Sequence, residues 1–509
     1  MVAHVPSRTQ LQALPDHVLE LMLEHLQVSD CAACCCASQE LNALGKVVLS
    51  RRSRVSQDDL PLLASLQDIQ LRASVNSVSL PGSNILAEVL RMIEYLPRAL
   101  LYIAHNCEHL EELSLKLLSQ ATANSRGSVW DHPSLLKRPH FRLSEVWRHR
   151  TRLHSLTLVN IPSRLLGLDD ASFQALATHC PGLQHFCIGH QGAEESIYNP
   201  EDYYCKAITD AALAALAQKC HHLKSVELLR CGEVTGQGVS QIARSCTGLT
   251  SFKLHDCPKV SERSIVQVFE RCHELEIVNI VPATWSAVQD MLLWQTDGWG
   301  RWQLGFHALF TLAANCPNLK ELTISEEQLE EAVVDSLGIC TVLEGCRQLT
   351  KIAFNQLDMA DSVFERMARQ TTQLQALEMH DSNFTDLALA AVAKGCSQLA
   401  YLSMQGPRLR ATRPGAAQRQ PLVAQGDVTD IGLKAIAAHC TQLTCLRITR
   451  NTCVTDKGVA SLAEAPVVVL QQLQELVLDA VLCTWEGIQL LLNKCSGLRK
   501  LELFGLAPA

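Results

Sequence analysis

Cysteines recur at a fixed spacing along this sequence, and their thiols could serve as nucleophiles, metal ligands or disulfide partners. The chain has 509 residues, of which 22 are cysteine. Cys220, Cys246 and Cys272 follow one another at intervals of 26 residues. A zinc site needs Cys or His ligands that cluster within one or two turns, which this interval does not offer. The regular interval therefore favours a repeated structural unit over a metal centre, and we expect no bound metal.

The start of the sequence indicates the redox compartment, and so whether disulfides are expected. The segment MVAHVPSRTQLQALPDH has no apolar signal-peptide core. The sequence also has no run of about 18 apolar residues, the length that would indicate a membrane span. We therefore expect a cytoplasmic and/or nuclear protein without a membrane span, whose cysteines are mostly thiols.

Charge and motifs narrow the classes of function. The formal net charge is −8 and the sequence pI is about 6.2, whereas a general nucleic-acid binder is expected to be basic. The apolar fraction of 47 % indicates a folded chain. Walker-type phosphate loops, Gly-x-Ser-x-Gly elbows and His-Glu-x-x-His helices do not occur. We therefore expect a protein that is not an enzyme, needs no cofactor and does not bind nucleic acid.

The elements that position the cysteines can be read from the apolar residues that follow each of them. Cys220 is followed by Leu223, Val226 and Leu228, and the last two are separated by one residue, as on one face of a strand. Three copies, at Leu153, Leu374 and Leu473, keep the apolar spacing without the cysteine. The cysteines that lead a copy are Cys107, Cys180, Cys220, Cys246, Cys272, Cys316, Cys346, Cys396, Cys440 and Cys495.

The second half of a copy predicts a helix. Thr209-Asp210, Thr429-Asp430 and Thr455-Asp456 each precede apolar residues at helical spacing. Threonine is a good helix N-cap, and an aspartate just after it suits the positive end of the helix dipole. Each copy is thus one strand and one helix, and only a stack of copies can bury its apolar faces. The cysteine is then a small buried side chain between a helix and the next strand.

This pattern resembles the cysteine-containing subclass of leucine-rich repeats, over roughly Cys107 to Leu503. The resemblance implies an α/β solenoid with parallel strands on a concave face and helices on a convex face. We accordingly assign residues 106–509 to the solenoid and residues 51–105 to a linker and an atypical first repeat or cap. The insertions fall near 120–148, 189–207, 283–305 and 405–427.

The segment 10–50 predicts a small all-helical domain. Leu14-Pro15 suits a helix start, Ser29-Asp30 can cap a second helix, and the apolar residues between them share one helical face. The block resembles an F-box, which implies docking onto the Skp-type adaptor of an SCF ubiquitin ligase together with its cullin and RING subunits. The residues that match the family pattern, and that would bind the adaptor, are Leu14, Pro15, Val18, Leu19, Met22, Leu23 and Leu26.

The F-box resemblance has departures. His17 stands where the family usually has an acidic residue, Cys31 where it commonly has leucine, and Leu41 where it has tryptophan. Cys31 and Cys34 have a spacing used in redox and zinc sites, and Cys35 and Cys36 adjoin them. No second Cys-x-x-Cys or His pair is close in sequence, so packing inside the second helix is the favoured interpretation of this cluster.

Residues between the buried positions of each strand are expected to face outward and to bind a protein substrate. Their mixture of both charges with aromatic and imidazole groups suits a protein partner, although a solvated face without a ligand is the alternative. The acidic insertion 189–207 adds three tyrosines, Tyr198, Tyr203 and Tyr204. The candidates are Glu227, Arg230, Lys253, His255, Glu378, His380, Tyr401, Arg447 and Arg450 on the strands, with Tyr203 and Tyr204 in the insertion.

Three hypotheses for function follow. In the first, the chain is a non-catalytic substrate receptor of an SCF-type ubiquitin ligase, in which the solenoid binds the protein to be ubiquitylated. In the second, it is a scaffold or inhibitor that acts without a ligase, and the N-terminal helices only cap the solenoid. In the third, the cluster Cys31–Cys36 makes it a thiol enzyme, which would need a low-pKa thiol beside a base.

Overall fold

We describe the fold from a computed structural model, whose residues fall into two compact units, Met1–Cys246 and Thr247–Ala509. Each unit is described by itself. The structure describes residues 54–55, 111–116, 143–148, 152–161, 167–190, 204–282, 304–325, 336–355, 357, 359–380, 385–406, 428–449, 453–479 and 483–504. The predicted F-box-like segment 10–50 lies outside these residues.

The first unit contains a parallel sheet whose strands follow chain order. Its strands are β1 (Arg54–Val55), β2 (Glu112–Lys116), β3 (Ser155–Val159), β4 (His185–Gly189) and β5 (Ser225–Leu229). Its helices are α1 (Ser144–Trp147), α2 (Asp170–His179), α3 (Asp210–Lys219) and α4 (Gly236–Ser245). Neighbouring strands pair without a register shift, so equivalent residues of successive copies lie side by side.

The second unit repeats the same design. Its strands are β6 (Ser251–His255), β7 (Ile277–Val281), β8 (Glu321–Ser325), β9 (Lys351–Asn355), β10 (Ala376–His380), β11 (Tyr401–Gln405), β12 (Cys445–Thr449), β13 (Glu475–Asp479) and β14 (Lys500–Phe504). Its helices are α5 (Glu262–Arg271), α6 (Phe306–Asn315), α7 (Ser336–Gly345), α8 (Asp361–Gln370), α9 (Asp386–Gly395), α10 (Asp430–His439), α11 (Asp456–Ala463), α12 (Val467–Gln472) and α13 (Trp485–Leu492).

The core of each unit lies between the sheet and the helices. In β10, Leu377 and Met379 are buried at the second and fourth positions, and Leu389 and Val392 of α9 are buried in the same layer. The alternation follows from the two-residue period of a strand, and the helical pair follows from the 3.6-residue period. The predicted alternation of strand and helix is therefore confirmed in both units. Within the described ranges, no helix is both long and apolar enough to cross a membrane.

Each repeated cysteine lies at the C-terminal end of a helix, which explains the regular spacing of the cysteines. In α3 the backbone N–H of Cys220 donates to the carbonyl oxygen of Leu216 at 2.7 Å. The thiol of Cys220 donates to the carbonyl oxygen of Cys180 in the preceding copy, with an Sγ···O distance of 3.5 Å. Cys346 and Cys316 are related in the same way, at 3.4 Å. The series, which we call the cysteine ladder, comprises Cys180, Cys220 and Cys246 in the first unit and Cys272, Cys316, Cys346, Cys396 and Cys440 in the second.

Burial suppresses the acidity of these thiols. Burial raises the pKa of Cys220, Cys316 and Cys346 to about 12. A thiol with so high a pKa stays protonated at neutral pH and is a poor nucleophile. The ladder cysteines are therefore structural. In the copy at Leu374, one of those that lack the cysteine, Thr371 takes this place, and its hydroxyl donates to the carbonyl oxygen of Met367 at 2.8 Å.

A second ladder joins the helix starts. The carboxylate of Asp430 accepts the backbone N–H of Thr455 at 2.8 Å and its hydroxyl at 2.7 Å. The Thr455 hydroxyl oxygen in turn accepts the backbone N–H of Lys457, as an N-cap does. The predicted capping by threonine is thus present, but the aspartate also reaches the following copy. The pairs of this carboxylate ladder are Asp170–Thr209, Asp210–Thr235, Asp386–Thr429, Asp430–Thr455 and Asp456–Thr484.

The carboxylate ladder reverses the usual effect of one glycine substitution. Alanine normally stabilises a helix interior relative to glycine by about 1 kcal/mol. At Gly458 in α11, however, a Cβ would lie 2.5 Å from Oδ1 of Asp430. We expect Gly458→Ala to lower the free energy of unfolding by about 2 kcal/mol. The measurement is the urea midpoint followed by circular dichroism.

The same substitution in two Asp430 backgrounds provides the control. With Asp430→Ala the facing carboxylate is gone, so Gly458→Ala should become less destabilising, and the remaining cost comes from Leu433 Cδ1 at 2.9 Å and the Cα of residue 430 at 3.2 Å. With Asp430→Asn the facing group keeps its size, and Gly458→Ala should remain destabilising. If Gly458→Ala has the same effect in all three backgrounds, the Asp430 side chain is not what excludes a Cβ here.

Candidate protein-binding surface

The side of each sheet that faces away from the helices is formed by the first, third and fifth residues of every strand. We call this side the open face. The equivalent residues form rows, because the strands pair in register. In the second unit the third-position row reads Lys253, Asn279, Thr323, Ala353, Glu378, Ser403, Arg447, Val477 and Glu502.

A polar cluster occupies the open face from β9 to β13. Tyr401 lies between two small first-position residues, Ala376 of β10 and Cys445 of β12. On the β9 side, Lys351 forms an ion pair with Glu378 at 2.8 Å. On the β13 side, Arg447 forms an ion pair with Glu475 at 2.6 Å. We call Lys351, Glu378, Tyr401, Arg447 and Glu475 the central cluster.

The ion pairs of the central cluster are partly shielded from water. The side chains of Glu378 and Glu475 are 22 % and 23 % exposed. The hydrogen bond to Glu378 raises the pKa of Lys351, and the hydrogen bond from Lys500 lowers the pKa of Glu475. Burial raises the pKa of the Tyr401 hydroxyl, and the charge of Glu378 adds to this. The cluster is therefore charged at neutral pH, while Tyr401 remains a neutral phenol.

Polar atoms with unused hydrogen-bonding capacity lie on the same face. Among the described residues, Nε of Arg447 and Oδ1 of Asn355 are buried and have no hydrogen-bond partner. Beside the cluster, Nε2 of His380 lies 3.2 Å from the hydroxyl oxygen of Ser403. Buried polar atoms are usually paired, so Nε of Arg447 and Oδ1 of Asn355 could gain a partner only after neighbouring side chains move.

The structure brings together four of the predicted substrate-binding residues. Glu378 and His380 lie on β10, Tyr401 on β11 and Arg447 on β12, which are consecutive strands. Lys253 and His255 lie on β6 of the same unit, four strands before β10. Glu227 belongs to β5 of the first unit, so it is not assigned to this cluster. Arg450 and Tyr203 lie outside the described residues.

Two predicted residues have unexpected local structure. Arg230 directly follows β5 and has a φ of 50°, in the left-handed region that side chains other than glycine and asparagine seldom adopt. Tyr204 was expected to be an exposed contact residue, but it is only 6 % exposed. A Cβ on Gly232 would lie 2.9 Å from Cβ of Tyr204, so the tyrosine fits only because that residue is glycine. Tyr204 therefore anchors the insertion instead of presenting a contact surface.

Sequence reasoning missed three members or neighbours of the central cluster. Lys351, Cys445 and Glu475 each occupy the first position of a strand, beside residues that were predicted. The apolar frame that begins at Cys346, Cys440 and Leu473 was sufficient to place them there. The apolar frame does not show, however, that a first-position residue pairs diagonally with a third-position residue on a neighbouring strand.

Comparison with known proteins finds only solved structures of low similarity. No protein-family model matches the sequence, and no curated protein matches it. An internalin (InlF) from Listeria monocytogenes is 15 % identical, with 74 % of this chain and 88 % of that chain covered and a TM-score of 0.39. The yeast complex of Rad7 and Elc1 is 18 % identical, with 60 % and 76 % covered and a TM-score of 0.38. An internalin C2 from Listeria monocytogenes is 16 % identical, with 58 % and 84 % covered and a TM-score of 0.28.

These similarities are too low to support a statement about function. The architecture of each unit is a leucine-rich-repeat fold, because in-register parallel strands alternate with helices and each copy repeats one apolar frame. Such a fold presents an interaction surface on its strands.

Proposed function

We propose that this protein is the substrate-recognition subunit of an SCF-type ubiquitin ligase. The F-box-like segment 10–50 binds the Skp-type adaptor through the apolar residues from Leu14 to Leu26. The leucine-rich repeats bind the protein that is to be ubiquitylated. The observation that carries the proposal is this order along one chain, in which an F-box-like sequence precedes a repeat protein with a polar, partly preorganised open face.

The central cluster has the properties of a protein-binding site. Tyrosine and arginine are the residues that most often dominate binding energy at interfaces. Tyr401 stands between small neighbours, so a partner side chain can pack against either side of its ring. The two flanking ion pairs hold Glu378 and Arg447 in place before a partner arrives, which reduces the entropy lost on binding.

The proposed mechanism is proximity. A receptor that holds adaptor and substrate at once raises the effective concentration of a substrate lysine near the charged ubiquitin carrier. No catalytic group of this chain takes part in that step. This agrees with the buried ladder thiols, whose raised pKa values leave them protonated at neutral pH.

Adaptor binding can be tested by co-purification with a recombinant Skp-type adaptor. The full-length chain is compared with a variant carrying Leu14→Ala, Pro15→Ala and Leu19→Ala. We expect stable binding by the wild type and at least about a 30-fold loss by the variant, since each truncated apolar contact costs on the order of 1 kcal/mol or more. The control variant is Gln12→Ala with His17→Ala, which leaves the apolar face unchanged and should bind normally.

Substrate binding is tested separately, so that the two halves of the proposal can fail independently. Tyr401→Ala with Arg447→Ala should leave adaptor binding unchanged and should abolish ubiquitylation of proteins captured by the wild type. A well-folded wild type that does not bind the adaptor would overturn the ligase role, and the protein would then act as a ligase-independent scaffold. Adaptor binding with unchanged substrate capture by the Tyr401/Arg447 variant would exclude the central cluster as the substrate site.

A further inference from the structure

Two cysteines of the first unit lie close together outside the cysteine ladder. Cys205 and Cys231 are registered with each other in an isolated parallel β-bridge. The N–H of Cys205 donates to the carbonyl oxygen of Arg230 at 2.7 Å, and the N–H of Gly232 donates to the carbonyl oxygen of Cys205 at 3.2 Å. These bonds fasten the end of the insertion 189–207 to the turn that follows β5.

The thiols of this pair contact each other, which distinguishes them from ladder thiols. Cys205 and Cys231 share a side-chain hydrogen bond. That bond lowers the pKa of Cys205, although burial acts to raise it. The Cys231 thiol also lies 3.7 Å from the backbone carbonyl oxygens of Ile188 and Leu229. The ladder thiols Cys220 and Cys246 are directed at backbone carbonyl oxygens too, but their pKa values are raised. Cys205 is therefore the more acidic thiol, and its sulfur has another sulfur as a neighbour.

Both thiols are buried: Cys205 keeps 4 % of its surface exposed and Cys231 none. Tyr204, which precedes Cys205, is buried as well. A small oxidant therefore reaches the pair through a local opening of this segment.

The backbone geometry is compatible with a covalent bond between them. Neighbouring strands lie about 4.8 Å apart, which falls within the Cα–Cα range of about 4.4 to 6.8 Å found for disulfides. Directly registered residues of parallel strands also point to the same side of the sheet. Side-chain rotation, together with a small approach of the two Cβ atoms to the separation of about 3.8 Å found in disulfides, then brings the two sulfurs together.

We propose that Cys205 and Cys231 form a reversible disulfide on exposure to hydrogen peroxide, with Cys205 as the thiol that is oxidised and Cys231 as the one that resolves it. The Cys205 thiolate attacks one oxygen of the peroxide, the O–O bond breaks, and the hydroxide released takes up the proton that Cys205 lost. The sulfur of Cys231 then attacks the sulfenic sulfur of Cys205, the S–O bond breaks, and the second oxygen leaves as water with the Cys231 proton. Two thiols and one peroxide give one disulfide and two waters.

The bond has a structural consequence that does not depend on the proposed ligase role. It makes covalent the one described bridge that holds the end of the insertion against the β5 turn. Oxidation therefore fixes Tyr204 over Gly232, and reduction by a dithiol restores the hydrogen-bonded pair.

The test is oxidation of the reduced full-length protein with hydrogen peroxide at neutral pH, followed by thiol alkylation, digestion and mass spectrometry. We expect a linked peptide pair containing Cys205 and Cys231, lighter by about 2 Da than its reduced form and lost on treatment with dithiothreitol. It should form at least about ten times faster than ladder thiols are oxidised, since thiolate fraction changes tenfold for each unit of pKa. Cys220 and Cys246 are the matched control pair, because they have the same separation of 26 residues.

Single variants identify the two roles. In Cys231→Ser the sulfenic acid on Cys205 should persist and react with dimedone, whereas in Cys205→Ser no dimedone adduct should form at Cys231. A dimedone adduct on Cys205 of the wild type without any disulfide would overturn the proposal, because Cys231 would then not resolve it. Equal oxidation of Cys205 and the ladder thiols would also overturn it.

Discussion

The urea midpoint of unfolding is expected to be far lower at about pH 10 than at about pH 8. At about pH 10 the thiols of the cysteine ladder stay protonated in the folded state but ionise in the unfolded state. Folding raises the pKa of six ladder thiols from 9.0 to about 11 or 12, namely Cys220, Cys246, Cys316, Cys346, Cys396 and Cys440. Each of them is fully buried.

The sign follows from proton binding. Between pH 9 and the raised pKa values, the unfolded chain loses thiol protons that the folded chain retains. The stability that the ladder contributes is therefore complete below pH 9 and is lost as the pH rises toward 12. The loss at about pH 10 is on the order of 1 kcal/mol for each of these thiols. Four of the six lie in the second unit, so the summed loss there approaches the lower end of the stability of a domain, about 5 kcal/mol.

Thr371 provides a matched variant for this experiment. Thr371→Cys places a thiol at the ladder position that the natural sequence fills with threonine. It should steepen the loss of stability with pH by about 1.4 kcal/mol per pH unit and change stability little at neutral pH. An unfolding midpoint that does not depend on pH between about 8 and 10 would show that the ladder thiols titrate alike in both states.

Gly189→Ala is expected to destabilise the first unit by about 4 kcal/mol. Gly189 ends β4 with a φ of 138°, a conformation that L-residues rarely adopt. A Cβ at this position would also overlap the carbonyl oxygen of Leu229 on the neighbouring strand. That oxygen accepts the N–H of His190 at 3.0 Å, so relief of the overlap would break a hydrogen bond at the point where the insertion leaves the sheet.

Gly182 provides the control for this substitution. A Cβ there would lie 3.7 Å from the His154 side chain, which is ordinary contact, so Gly182→Ala should change stability by less than about 0.5 kcal/mol. Both variants can be compared by urea unfolding with circular dichroism. Equal midpoints for the two would mean that the backbone at Gly189 adapts to a side chain at no cost.

The sequence predicted the repeated unit well, because its evidence is local and is given many times. The apolar residues after Cys220 and after Cys246 predict equivalent strands, β5 and β6. Thr209 and Thr455 cap helices as expected. Burial of the ladder cysteines is also confirmed, because a small apolar side chain at the same position of most copies fits the space between a helix and the next strand.

Contacts between copies were much less accessible to sequence reasoning. The bond from Asp430 to Thr455 depends on how two helices stack, and the pairing of Lys351 with Glu378 depends on strand register. Tyr204 was misjudged because a tyrosine among acidic residues resembles an exposed loop residue, whereas the glycine that accommodates it, Gly232, lies 28 positions later. The interpretation of the segment from Leu14 to Leu26 stays a prediction, as does the assignment of substrate-binding residues.

The carboxylate ladder also has a consequence for how such proteins diverge. Asp430 and Thr455 are 25 residues apart, while Asp386 and Thr429 are 43 apart, yet the distances from carboxylate to threonine N–H are 2.8 Å and 2.9 Å. A helix start that is hydrogen-bonded to the preceding copy keeps its position whatever the length of the segment before it. Evolution, or a protein engineer, can therefore lengthen, shorten or replace the segment between a strand and its helix while the frame keeps its spacing. New recognition loops can be grafted at these junctions without redesign of the repeats that carry them.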